Sequence, residues 1–132
     1  MLMDLKDSSR NTDPMLSSIV LENNIVVTNH AIVRNVMGSN FSHKNNIYWL
    51  MGAAKFDLLN TTGLNVSEKT VNPEFVSFSM LEDRVNIQGL DLRLKDSSPA
   101  VNAAAFFGYD LDVIQVMVPK GKMPDIGAYE SY

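Results

Sequence analysis

Residues 23–27 read "NNIVV", and residues 45–49 read "NNIYW", the same opening 22 residues later. A period of that length is too long for a turn or a heptad and matches a structural unit that brings the chain back to one place. Extending the register outward, Ile19 falls on Phe41, Val20 on Ser42, Glu22 on Lys44, Val26 on Tyr48 and Val27 on Trp49. Further on, "AIVRNV" (31–36) falls on "AAKFDL" (53–58), which sets Asn35 against Asp57. The apolar positions mostly coincide, and Asn coincides with Asn twice.

Each unit is a set of short β-branched runs, "SSIVL", "NIVVT" and "AIVRNV", separated by Asn-rich punctuation. Such runs read as strands, whereas helical units need ten or more periodic residues rich in Ala, Leu, Glu and Lys. Three short strands per unit describe one coil of a parallel β-helix. The chain has room for about four or five coils, each roughly 4.8 Å thick. Asn tolerates left-handed backbone at a bend and bonds neighbouring backbone groups. Asn23 over Asn45 and Asn24 over Asn46 can therefore form an amide ladder, the alternative being independent turn residues. Because alternate strand residues share a face, Ile25, Val27, Ile47 and Trp49 are expected inside. Val26 and Tyr48 are then expected in solvent, with Tyr48 the exposed aromatic.

The 132 residues suit one domain with a real core, and 45 % hydrophobic and 20 % charged residues are ordinary for a globular chain. A net charge of −4 with no basic run argues against nucleic acid or an anionic membrane surface as partner. The absence of Cys excludes a disulfide framework and thiolate metal sites. "MLMDLKDSSR" is charged from Asp4 and is no signal peptide, and no stretch is long enough to span a bilayer. The sequons at Asn40, Asn60 and Asn65 are read as chance in a chain with thirteen Asn. The organisation expected is a polar segment over 1–16 and one domain over 17–132. That domain divides into coils (17–58), a protruding loop (59–71), and a last coil with its cap (72–132).

The C-terminal half carries "NPEFV" (72–76), "LRL" (92–94), "SPAVNAA" (98–104) and "PDIGAYE" (124–130). In this order they resemble the closing motifs of the pectate-lyase-like group of right-handed parallel β-helix repeat proteins, which are carbohydrate-active. Asn72 stands where that pattern has Asp, Val101 for Ile, Asn102 for Asp and Ala104 for Gly. "PDIGAYE" matches without change, and the apolar "VIQVMV" (113–118) departs from the pattern. The resemblance implies an all-β, right-handed parallel β-helix, or β-solenoid, closed by a C-terminal cap. It also implies a polysaccharide partner, an extracellular or periplasmic location, and Ca²⁺ as the only cofactor to expect. The cap makes physical sense: Pro99 and Pro124 end strand pairing, Asp125 bonds backbone, Gly127 permits a positive φ and Tyr129 can cover an open end. A single ankyrin-like look over 100–118 lacks both the "TPLH" opening and a second copy.

Lyases of this kind need a Lys or Arg base with a charge neutraliser, and hydrolases need two or three carboxylates on adjoining coils. Neither set is visible. Glu22 and Asp57 do not share a register position, and Asp83, Asp91, Asp110 and Asp112 lie in the tail. The basic candidates are Arg34, Lys44 and Lys55, with His30 and His43 nearby but no carboxylate cluster to make a metal site. Lys44, Tyr48 and Lys55 are the expected sugar-contacting residues, with Glu22–Lys44 as a cross-coil ion pair. The function expected is the C-terminal coils and cap of a lyase-like or glycosidase-like protein, not catalytic alone and continuing a longer β-helix. The alternatives are a non-enzymatic carbohydrate-binding or adhesion module, and a structural solenoid that self-associates through its exposed ends.

Overall fold

The computed structural model describes residues 19–29, 32–35, 41–52, 56–59, 64–81, 84–85 and 88–131. The polar segment 1–16 and the candidates His30, Lys55 and Asp83 lie outside these residues, and the side chains of Arg34 and Asp57 are likewise not described. The strands are β1 (Ile19–Glu22), β2 (Ile25–Thr28), β3 (Ile32–Asn35), β4 (Phe41–Lys44), β5 (Ile47–Leu50) and β6 (Phe56–Leu59). They are followed by β7 (Phe75–Ser77), β8 (Met80–Leu81), β9 (Arg84–Val85) and β10 (Asp91–Leu94). Among these residues no helix is long and apolar enough to cross a membrane.

The two units defined by the Asn pairs lie side by side in parallel. β1 pairs with β4 through Ile19–Phe41 and Glu22–Lys44, and β2 pairs with β5 through Ile25–Ile47 and Val27–Trp49. This is the 22-residue register. The bends between strands sit at Asn23 and Asn45, whose φ values of 57° and 53° are left-handed, a conformation Asn adopts more readily than β-branched residues. The third pair departs from the register: Ile32 meets Phe56 and Val33 meets Asp57, so Asn35 faces Leu59 instead of Asp57. Three residues (29–31) separate β2 from β3, while five (51–55) separate β5 from β6. The extra two include Gly52 at φ 60° in the turn.

A parallel β-helix of four or five coils does not form. The described strands make five separate two-stranded sheets, three parallel and two antiparallel, and nothing closes them into a solenoid. The third unit supplies only one bridge, Ile47 to Lys69, where Lys69 N–H donates to Asn46 O at 3.0 Å and Tyr48 N–H to Lys69 O at 2.8 Å. Polar "SEKT" (67–70) followed by Pro73, which has no N–H, cannot extend a ladder. The chain then reverses, and β7 and β10 pair antiparallel through Phe75–Leu94. Residues 59–71 are thus not simply a protruding loop, because 65–69 return to the strands.

Segment 95–131 contains no regular strand, yet it builds much of the core. Ile47, Leu94, Ala100, Ala104 and Ile126 form one buried cluster, flanked by Ile25, Phe75, Val101 and Ala103. "PDIGAYE" lies against the first unit: Gly127 N–H donates to Asn23 O at 3.1 Å, and a Cβ on Gly127 would come within 3.1 Å of Ile25 Cδ1. The segment is therefore a side wall of the core and not a lid on a last coil. Val26 and Tyr48 form a second cluster with Leu50 on the opposite face of the β2–β5 pair. With both faces covered, simple in–out alternation fails. Trp49 packs at the edge of the first cluster, its ring centroid 5.1 Å from Phe78 and 6.5 Å from Phe75.

Candidate functional site

Lys44 holds Glu22 at 3.0 Å, so the cross-strand ion pair forms, with the Lys44 side chain 48 % exposed. Tyr48 is buried at 4 % exposure, which corrects its assignment as the exposed aromatic. Its hydroxyl points inward and donates to Glu68 Oε1 at 3.0 Å. Lys55 is outside the described residues.

What Tyr48 joins is a buried polar cluster that the two-unit register missed. Asn24 N–H donates to Asn46 Oδ1 at 3.0 Å, and Asn24 Nδ2 lies 3.3 Å from the same oxygen. Asn46, fully buried, donates through Nδ2 to Leu21 O at 2.7 Å and to Glu68 Oε1 at 2.6 Å. Of the expected ladder the Asn24–Asn46 pair forms and a carboxylate follows it, whereas the Asn23 amide is turned to the Ala105 backbone. Glu68 Oε2 accepts from Asn65 N–H at 2.9 Å and lies 2.7 Å from His43 Nδ1. Burial pushes the Glu68 carboxyl up, but hydrogen bonds from Asn46, the Asn65 N–H, His43 and Tyr48 outweigh it and hold the group below its ordinary 4.5. Continuing the register one period past Asn46 lands on Glu68, which was the available signal. Neither of the two clefts described below is lined by His43 or Glu68.

The cleft lies at the other end of the first unit. It encloses about 670 Å³ between the Val20–Asn24 stretch and the tail. Asn23 fixes its geometry, because its Nδ2 donates to Ala105 O at 2.7 Å while its Oδ1 accepts Ala105 N–H at 3.0 Å. That two-way clasp sets Phe107 and Tyr109 on the rim, 48 % and 68 % exposed, with Val20, Leu111 and Val113 also exposed beside them. A smaller hollow of about 280 Å³ continues from it over Ile25 and Leu94.

Glu22, Asp112, Asp125 and Glu130 line the cleft, and no Lys or Arg does. Their bonds assign them structural work. Asp125 accepts the N–H groups of Asn102 and Ser131, both at 2.7 Å. Glu130 accepts those of Asp125 at 2.9 Å and Lys120 at 3.1 Å. Asp112 accepts from Ile114 and Val116 at 2.8 Å and from Glu130 N–H at 2.9 Å. Burial raises the Asp112 carboxyl, but those three backbone donors prevail and lower it. Carboxylates tied to main-chain donors on every side serve a loop-built tail as its scaffold and are poor proton shuttles. Among the described residues no group of three or more His, Cys, Asp or Glu is placed to hold a metal ion.

No family model matches the chain. No curated protein and no solved structure matches it either.

Proposed function

We propose that this chain is a non-catalytic carbohydrate-binding module whose ligand surface is the cleft rimmed by Phe107 and Tyr109. The observation that carries this reading is the pair of exposed rings over an open cleft of about 670 Å³ whose base carries the Asn23 and Asn24 amides. Aromatic rings supply an apolar face for a sugar ring. The likeness of the tail motifs to those of pectate-lyase-like proteins supports the same ligand class. Four lining carboxylates with no Lys or Arg among the lining residues oppose uronates and favour neutral sugars.

Calorimetric titration of the chain with neutral and uronate oligosaccharides tests the proposal. Binding is expected for neutral sugars, and Tyr109→Ala should weaken it about tenfold, the typical cost of truncating an aromatic anchor. Tyr48→Phe should leave affinity unchanged, since Tyr48 lies outside the cleft. Equal affinity of the wild type and Tyr109→Ala for every sugar bound, or tighter binding of uronates, would overturn it.

A further inference from the structure

We propose that the Glu68 carboxylate is an acid-released latch that holds residues 64–70 against β4 and β5. The attachment of this segment to the strands is narrow. It consists of the single Ile47–Lys69 bridge, the Asn45 N–H bond to Ser67 Oγ at 2.9 Å, and the contacts of Glu68. Beyond these, the segment carries Leu64 and Val66 outward, Val66 completely exposed. Little apolar burial holds it down, so the carboxylate dominates its attachment.

The shell around that carboxylate is arranged for the charged form. Each oxygen already faces a group that can only donate: the Asn46 amide nitrogen at Oε1 and the Asn65 N–H at Oε2. The second neighbour of Oε1 is the Tyr48 hydroxyl, and the second neighbour of Oε2 is His43 Nδ1. When His43 carries hydrogen on both ring nitrogens it too only donates, and it then adds an ion pair to the latch. A proton on Glu68 cancels that pair and weakens every bond the carboxylate accepts. The other charged groups nearby are directed elsewhere: Lys44 to Glu22 at 3.0 Å and Lys69 Nζ to Pro99 O at 3.2 Å.

The direction of the effect follows from the charged form being favoured in the fold. A carboxyl held below its ordinary 4.5 contributes attachment that is complete above that value and is lost as pH falls through the lower, folded value. Release would uncover Tyr48 and free the backbone edge of β5 at Asn46 O and Tyr48 N–H. The latch thus stays shut at neutral and mildly acidic pH and opens in stronger acid.

Amide hydrogen exchange on the full chain, followed by NMR from pH 6 to pH 3 and corrected for intrinsic rates, tests this. Lys69 and Tyr48 report the latch, while Lys95 and Ile126, bonded to Glu74 O and Ala100 O, report the rest of the fold. Protection at Lys69 and Tyr48 should fall about tenfold more than at the reference amides, with a midpoint that coincides with the Glu68 carboxyl ¹³C titration. Glu68→Gln, which cannot ionise, should show weaker protection that no longer changes over this range. A parallel fall at all four amides, a midpoint separate from the Glu68 titration, or an unchanged pH response in Glu68→Gln would each overturn the latch. If Glu68→Gln does not fold, the coincidence of the two midpoints in the wild type decides alone.

Discussion

Asn46→Ala should be among the most damaging single substitutions in this chain. Asn46 is fully buried and makes four side-chain bonds: to Leu21 O, Asn24 N–H, Asn24 Nδ2 and the Glu68 carboxylate. A neutral hydrogen bond contributes roughly 0.5–1.5 kcal/mol net and one to a charged group roughly 1.5–3 kcal/mol. Discounting the longer 3.3 Å contact, the sum is about 2.5–6 kcal/mol, a large part of the roughly 5–15 kcal/mol that typical domains possess. The loss exceeds that of an exposed Asn because Glu68 stays buried and charged with one donor fewer. In urea, with a slope of about 2 kcal/mol per M, the midpoint should drop by roughly 1.3–3 M.

Asn46→Asp separates the ladder from a simple size effect. It is nearly isosteric but places a second carboxylate where Nδ2 now sits 2.6 Å from Glu68 Oε1. Two such groups cannot both ionise at that distance, so the pair must take up a proton on folding. A carboxyl raised in the folded state contributes stability at low pH that disappears as pH rises. Asn46→Asp should therefore be less destabilised at pH 5 than at pH 7, whereas Asn46→Ala should show no such recovery. A loss below about 1 kcal/mol for Asn46→Ala, or the same pH response in both variants, would show that the ladder does not hold the two units together.

Two further outcomes follow from the tail and from β10. Ile126→Ala, at a side chain only 1 % exposed within the main cluster, should cost about 2–5 kcal/mol in chemical denaturation, since "PDIGAYE" is core wall. Asp91 is held at about 2 by side-chain bonds from Arg93, so Arg93→Ala should return its NMR-detected titration toward 3.8. In the wild type the contribution of this pair is present above 3.8 and fades as pH falls toward 2, and the exposure of both groups keeps it small.

The parts of this molecule legible in the sequence are those governed by local chemistry. Asn23 and Asn45 bend the chain because their backbones must be left-handed, and the β-branched runs beside them pair in the register that those bends impose. Turn length is a weaker signal, and so the third pair slipped by two residues where residues 51–55 replace the shorter 29–31. Facing was harder still. Alternation assumes one wet face, whereas the β2–β5 pair is covered by the tail on one side and by Glu68 with its segment on the other, which buried Tyr48.

The geometry of the tail was not legible in the sequence, for a physical reason. Its backbone donors are satisfied by Asn102, Asp112, Asp125 and Glu130 across gaps of 2 to 23 residues, a pattern with no period to detect. Asn102 shows how tight this arrangement is: at φ 54° its side-chain oxygen accepts both Lys122 N–H at 2.7 Å and Met123 N–H at 3.1 Å. A Cβ on Gly121 would collide with that oxygen, so the Gly in "KGKM" is dictated by an Asn nineteen positions earlier. The acidic residues of the cleft formed no catalytic set in the sequence, and in the fold Asp112, Asp125 and Glu130 accept from the main chain of the tail. Asp112, Asp125 and Glu130 already hold main chain and Glu22 holds Lys44, so the exposed rings at the rim are what the cleft offers a ligand.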